Sequence, residues 1–167
     1  AFGSYSPGID VEIMVLAMTF LKGLGLDDLK LCINSIGCSK CRQEYKKALK
    51  SFIKERSADL CNTCQERWDK NPLRILDCKN PECRKIIKDA PTVINYLCSD
   101  CRSHFQKVQD LLTALSVDFI VDDKIVRGID YYTKTVFEII SDDLGAQSTV
   151  CGGGRYDNLI EECGGPP

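Results

Sequence analysis

The 167-residue sequence has one histidine, one tryptophan and two methionines, and this scarcity already removes much catalytic chemistry. With His104 alone, a Ser/His/Asp hydrolytic triad is not in play. No GKS or GKT follows a glycine-rich loop, so there is no Walker phosphate site, and no GxGxxG marks a dinucleotide fold. An excess of either charge is missing too. Lys and Arg number 22 against 24 Asp and Glu, a net charge of −2, so no global basic field announces nucleic acid and any contact would need a local patch. DNA is not an expected partner. Low-complexity tracts are absent, and the cysteine pairs are the one internal repetition. The most apolar run, VEIMVLAMTF at 11–20, carries Glu12 and is far too short to span a bilayer. A basic leader with a small-residue cleavage site is lacking as well, so the expectation is a cytoplasmic protein without membrane contact. In a reducing cytosol, paired thiols point to metal sites or free core residues rather than disulfides.

What is present suffices for a core, with 44% hydrophobic and 28% charged residues. The opening AFGSYSPGID suggests strand-like residues and a Pro-Gly turn, with Asp10 capping a helix. Ile13, Leu16, Ala17, Phe20 and Leu21 then recur at helical spacing until KGLGL supplies a glycine stop. LKLCINSIG at 29–37 reads as a strand. Residues 1–37 and 117–167 thus have α/β character. Between them, 38–116 is rich in Lys, Arg, Glu and Cys, with helices expected near 40–56 and 100–115, the second striped by Phe105, Val108, Leu111, Leu112 and Leu115. Pro72, Pro81 and Pro91 break the intervening segments. This middle region reads as an inserted, mostly helical, cysteine-rich subdomain, entered from one strand and left by another. Beyond it, 126–140 reads as a strand, DDLG as a hairpin turn, 147–153 as its partner and 155–163 as the start of a helix.

Eleven cysteines are present, eight of them in pairs: Cys38/Cys41, Cys61/Cys64, Cys78/Cys83 and Cys98/Cys101. A CxxC turn can aim two sulfurs at one point, and two such turns build the tetrahedral thiolate cage that Zn²⁺ prefers. The first two pairs stand within the usual spacing window for such a site. One or two structural Zn²⁺ ions are expected. Sequential pairing (38/41 with 61/64, and 78/83 with 98/101) and an interleaved pairing are both open. Cys32, Cys151 and Cys163 read as core packing. His104 reads as a surface residue, with a substitute ligand beside Cys101 as the alternative.

The stretch VRGIDYYTKTVFEII, 126–140, places an arginine, an aspartate and two tyrosines in an otherwise apolar strand. A buried arginine is costly without an anion, and Gly128 lets a ligand or backbone approach closely. Tyr131 and Tyr132 have aromatic bodies with polar tips, suited to a pocket for a flat polar group. CGGGRYDNL follows, its glycines expected at a strand end before a helix, where N–H groups favour anions. Arg155 and Tyr156 directly after them strengthen the reading of a site.

These two stretches carry a resemblance. VRGIDYYTKTVFE resembles the first signature of histidyl-tRNA synthetases and CGGGRYDNLIEECGG their second, while FGSYSPGIDVEIM and LKLCINSIGC resemble segments that follow motif 2 of the family's class II core. The resemblance runs along essentially the whole chain in family order. It implies an α+β fold: part of a six-stranded antiparallel sheet with flanking helices, divided as core 1–37, insertion 38–116 and signature-bearing core 117–167. The activity it implies is activation of histidine with ATP and Mg²⁺ to a histidyl-adenylate, then transfer to tRNA(His), by a homodimer whose insertion lies near the acceptor stem. By position, Arg127 matches the family's arginine near the α-phosphate and substrate carboxylate, where it stabilises developing charge. Tyr131 and Tyr132 match the amino-acid pocket; Gly153, Gly154 and Tyr156 match its floor. Asp130 fixes local geometry. Motif 2 and motif 3 are expected outside the chain, so it reads as an internal fragment, inactive alone. Two other readings are an inactive paralogue that regulates ATP phosphoribosyltransferase and a freestanding zinc-binding, RNA-contacting module. Lys46, Lys47, Lys50 and Lys54, with Arg56, are a weak candidate for contact with tRNA phosphate.

Overall fold

The computed structural model describes residues 1–76, 78–125, 132–141 and 148–166. Helix α1 (Pro7–Gly23) leads to strand β1 (Leu29–Gly37). Helices α2 (Ser39–Lys54), α3 (Asn62–Arg67), α4 (Pro81–Ile87) and α5 (Ser99–Ala114) follow, interrupted by short 3-10 turns. Strands β2 (Phe119–Val121), β3 (Thr133–Ser141) and β4 (Thr149–Arg155) and a short α6 (Leu159–Glu162) complete the order. The strands form one sheet in the order β2-β1-β3-β4. β1 pairs antiparallel with β3, and β3 with β4, while β2 lies parallel to β1 at the edge. The sheet is therefore mixed rather than purely antiparallel. A parallel β1–β2 pair needs a long crossover, and the helical region from α2 to α5 is that crossover.

Alternation along the strands sorts two layers. Leu31, Ile33, Phe137 and Ile139 meet Val11 and Met14 of α1 and Phe105, Val108 and Leu112 of α5 in the main core. On the other side, Cys32, Val136, Ile125 and Tyr132 form a smaller cluster. The α5 stripe is borne out through Leu112, whereas Leu115 lies exposed at the helix end.

The α1 expectation needs two corrections. Ser6, not Asp10, caps the helix, its hydroxyl accepting from the Gly8 N–H, and Pro7 occupies the first turn instead of a preceding bend. The buried face is also different. Val11 and Met14 are buried, with Val15, Met18 and Leu21 against them, while Leu16 and Phe20 are more than 60% exposed. A helix apolar on nearly every side gives its periodicity no face to select, so contact with the sheet and α5 made the choice.

The expected strand over 126–140 is observed from Thr133 onward; residues 126–131 lie outside the described residues, as does the DDLG turn. β4 runs two residues further than expected, through the glycines to Arg155.

Candidate functional site

The three glycines are not a loop before a helix. They lie within β4, where Gly152, Gly153 and Gly154 pair with Glu138, Phe137 and Val136. Their smallness serves neighbouring rings and backbone. A Cβ on Gly153 would stand 2.9 Å from Phe137 Cε1, and one on Gly154 2.6 Å from the Thr135 carbonyl oxygen and 2.8 Å from Tyr132 Cδ1. Gly154 thus lets the Tyr132 ring lie directly against the strand. The run therefore continues an edge strand rather than opening directly into a helix, and the α6 that follows is only four residues long.

Tyr132 and Tyr156 come together across β3 and β4. Their ring centroids are 4.6 Å apart at an interplanar angle of 31°, and the Tyr156 hydroxyl donates to the Tyr132 hydroxyl at 2.9 Å. Tyr132 is buried and Tyr156 is 42% exposed, so the pair forms a wall with one face toward solvent. Of the expected pocket residues, Tyr132, Tyr156, Gly153 and Gly154 are therefore gathered on adjacent strands. Arg127 and Tyr131 lie outside the described residues, with Gly128 and Asp130. The root of that segment is fixed by a residue the sequence did not single out. Buried Asn34 donates from Nδ2 to the Ile125 carbonyl at 3.1 Å, across 91 residues. A cavity of about 580 Å³ opens beside this region, lined in part by Asp10, Gly154, Arg155, Tyr156, Phe2 and Tyr5.

Arg155, which lines the same cavity, spends its donors on protein groups. Its Nε and Nη2 donate to Asp10 Oδ1 at 3.0 and 2.9 Å, Nη1 to Asp157 Oδ1 at 3.0 Å, and Nη1 and Nη2 to the Ser4 and Ser6 carbonyls. The second oxygen of Asp10 accepts from His104 Nε2 at 2.6 Å and from the Thr135 hydroxyl at 2.7 Å. His104 is therefore buried, neither a surface residue nor a ligand beside Cys101. Burial pushes the Asp10 carboxyl up, but the hydrogen bonds from His104 and Thr135 and the guanidinium of Arg155 outweigh it and hold it below its usual value. A lone aspartate ten residues into a chain carries no local signal of such a role; its partners are 94 to 145 residues away.

The cysteine pairs meet in two quartets: Cys38, Cys41, Cys98 and Cys101, and Cys61, Cys64, Cys78 and Cys83, with the sulfurs of each quartet all within 4.8 Å of one another. This is a nested arrangement, outer pairs together and inner pairs together, and it replaces both pairings left open by the spacing. All eight are free thiols. Burial raises the Cys38 thiol, yet donation from the Cys41 N–H and from the Cys41 and Cys101 thiols brings it down to about 7; the Cys64 N–H does the same for Cys61, also to about 7. Cys32, expected in the core, is buried in the smaller cluster, and Cys151 packs against the main core, but Cys163 is exposed. In the basic helix, Lys47 pairs with Glu44 and Lys50 with Asp69, and Arg56 stacks over Phe52.

Antiparallel strands carrying a tyrosine pair, flanked by helices and joined to an edge strand through a long helical crossover, match a solved aminoacyl-tRNA synthetase. Within that class, the family model described as histidyl-tRNA synthetase matches residues 1–166, and the chain belongs to this family. It is 58% identical over 165 residues to the histidine–tRNA ligase of Caldanaerobacter subterraneus subsp. tengcongensis, and 54% identical over 166 residues to that of Clostridioides difficile. Each alignment covers 99% of this chain and 40% of the relative, so the chain spans about two fifths of the length of these proteins. Among solved structures, apo Staphylococcus aureus histidyl-tRNA synthetase superposes with a TM-score of 0.77 at 33% identity, over 99% of this chain and 40% of that one. A Bacillus halodurans protein described as an ATP phosphoribosyltransferase regulatory subunit/histidyl-tRNA synthetase shares the fold, with a TM-score of 0.58 at 21% identity, over 98% of this chain and 46% of that one.

Asp10 gives a direct test. Asp10→Asn should cost about 3 kcal/mol at pH 7, because it leaves the buried Arg155 short of its main counter-charge. A carboxyl lowered by folding contributes stability that is fully present above its unfolded value, about 3.9, and lost as pH falls through the lower folded value. Urea unfolding at pH 7 and pH 3 should therefore show the gap between wild type and variant narrowing in acid. A gap of equal size at both pH values would overturn this role for the Asp10 charge.

Proposed function

We propose that this chain is part of a histidine–tRNA ligase, supplying one wall of the site that forms histidyl-adenylate. The observation that carries this is the Tyr132–Tyr156 pair held against Gly154. Two stacked phenols linked by a hydrogen bond present an apolar face and a fixed polar edge, which suits the imidazole of a histidine substrate. In the reaction, the histidine carboxylate attacks the α-phosphorus of ATP and pyrophosphate leaves, with Mg²⁺ supplied alongside ATP. The 3′-terminal ribose hydroxyl of tRNA(His) then attacks the adenylate carbonyl and AMP departs. Arg127 and Tyr131 are proposed to complete the wall on the chain between Ile125 and Tyr132. The high identity to ligases favours this reading over a regulatory subunit of ATP phosphoribosyltransferase, for which the support is likeness of fold alone.

The proposed division is a catalytic portion at 1–37 and 117–167, with 38–116 as an insertion that reaches the tRNA acceptor stem. Zn²⁺ in this insertion is structural, since a cage of four thiolates leaves no open coordination position for substrate. The complete enzyme is proposed to work in the cytoplasm as a homodimer; in this chain no helix among the described residues is long and apolar enough to cross a membrane.

Two measurements test the proposal. The 167-residue chain alone should show no histidine-dependent ATP–pyrophosphate exchange above background, whereas the full-length enzyme carrying this segment should show it. In that enzyme Tyr156→Phe should raise the KM for histidine about 3- to 10-fold through loss of one hydrogen bond, with kcat little changed. An unchanged KM would remove the tyrosine pair from the histidine site. For tRNA, Lys46→Gln with Lys50→Gln should weaken binding and flatten its dependence on salt by about two phosphate contacts; unchanged affinity and slope would dismiss the patch.

A further inference from the structure

Eight cysteines stand in two compact groups apart from the tyrosine pair, and their dimensions are informative. A tetrahedral ion with metal–sulfur bonds of about 2.3 Å holds its sulfurs about 3.8 Å apart. In the outer quartet Cys38 Sγ and Cys41 Sγ are 3.6 Å apart, and in the inner quartet Cys61 Sγ and Cys78 Sγ are 3.9 Å apart. No sulfur in either quartet is farther than 4.8 Å from another, which fits one ion per quartet. A polynuclear iron–sulfur cluster would hold its thiolates wider apart, and disulfides would account for pairs rather than quartets.

The two quartets also share a wiring pattern. In the outer one the Cys98 N–H donates to Cys41 Sγ at 3.1 Å; in the inner one the Cys61 N–H donates to Cys83 Sγ at 3.2 Å. Each time, the first cysteine of one pair bonds the second sulfur of the other, which orients the sulfurs and favours thiolate. In both quartets two members are buried and two partly exposed, leaving an entry path.

The surroundings explain why ions would be needed. Among the described residues between Ser57 and Leu97, no helix exceeds seven residues, and the local apolar cluster counts Cys64 and Cys83 among its members. So little secondary structure and core rarely hold a fold without a cross-link or metal. The outer quartet lies where the insertion leaves β1 and returns through α5. Gly37 makes that exit with φ +67°, and a Cβ there would stand 2.5 Å from Cys41 Cβ, so the turn into the cluster admits only glycine.

We infer that the insertion is a two-metal module. One zinc-class ion bound by Cys38, Cys41, Cys98 and Cys101 closes its neck, and a second bound by Cys61, Cys64, Cys78 and Cys83 holds its distal half. This stands on the cysteine geometry alone and is independent of the ligase reading.

The test uses the whole chain. Elemental analysis of protein purified under reducing conditions should give two equivalents of zinc; fewer than two bound ions, or iron in their place, would overturn the proposal. After exchange for ¹¹³Cd²⁺, two cadmium resonances are expected, each correlated with the β-protons of one quartet. Any partition in which Cys38 and Cys41 share an ion with an inner pair would overturn the nesting. Chelation should then raise amide exchange in the first turns of α2 and α5 while the β1–β3 ladder stays protected. Unchanged exchange at those turns would refute the role of the outer ion at the neck.

Discussion

One carboxylate sets the geometry of the sheet half of this chain. Asp10 is on α1, His104 on α5, Thr135 on β3 and Arg155 on β4, and all three partners converge on its two oxygens. A charge taken out of water is expensive unless every lone pair is answered. Here each oxygen is answered, and the guanidinium spends its remaining donors on Asp157 and on the Ser4 and Ser6 carbonyls that lead into α1. The result fixes β4 against β3 and α1 at its last residue. Tyr156 is the next residue along, and its position over Tyr132 follows from that anchorage. The placement of the tyrosine pair is thus a consequence of a buried ion pair whose hydrogen bonds go to protein groups.

This dependence explains what the sequence disclosed and what it did not. Strand β1 and helices α2 and α5 were legible because each has a local signal: Leu29, Leu31 and Ile33 alternating in β1 before a glycine, and a polar-backed stripe in each helix. The face of α1 was not legible, because a helix apolar on most sides carries no directional information until its neighbours are placed. The signature residues Tyr132, Gly154 and Tyr156 were recognisable as a set, yet the reason for the glycines was not. They read as a strand end before a helix, yet Gly153 and Gly154 are strand positions cleared for the Phe137 and Tyr132 rings. Arg155 looked like part of the site and is structural, because its partner Asp10 lies at the other end of the chain. Asn34, which fixes the Ile125 carbonyl, gave no signal at all for the same reason.

The cysteines illustrate a related limit. Spacing shows which two sulfurs share a turn, since that is a local property, but not which turns meet. The nested answer follows from topology. A crossover between parallel neighbours β1 and β2 must carry the chain back across the sheet; α5 is that return leg, and because it starts beside the end of β1 the first and last pairs come together. The middle pairs are then left to each other.

Helix α5 joins the two systems. Cys101, His104, Phe105, Val108 and Leu112 lie along one side of it at spacings of three and four residues. Cys101 belongs to the outer quartet, His104 to the Asp10 network, and the other three to the main core. These residues share one rigid element, so the start of the α5 return leg cannot shift without pulling on His104, one turn away, and through Asp10 on Arg155. The position of the helical crossover and the position of the tyrosine pair are therefore set by the same helix. A cross-link at the outer quartet would stiffen both, because it acts on the end of α5 that the Asp10 network already holds.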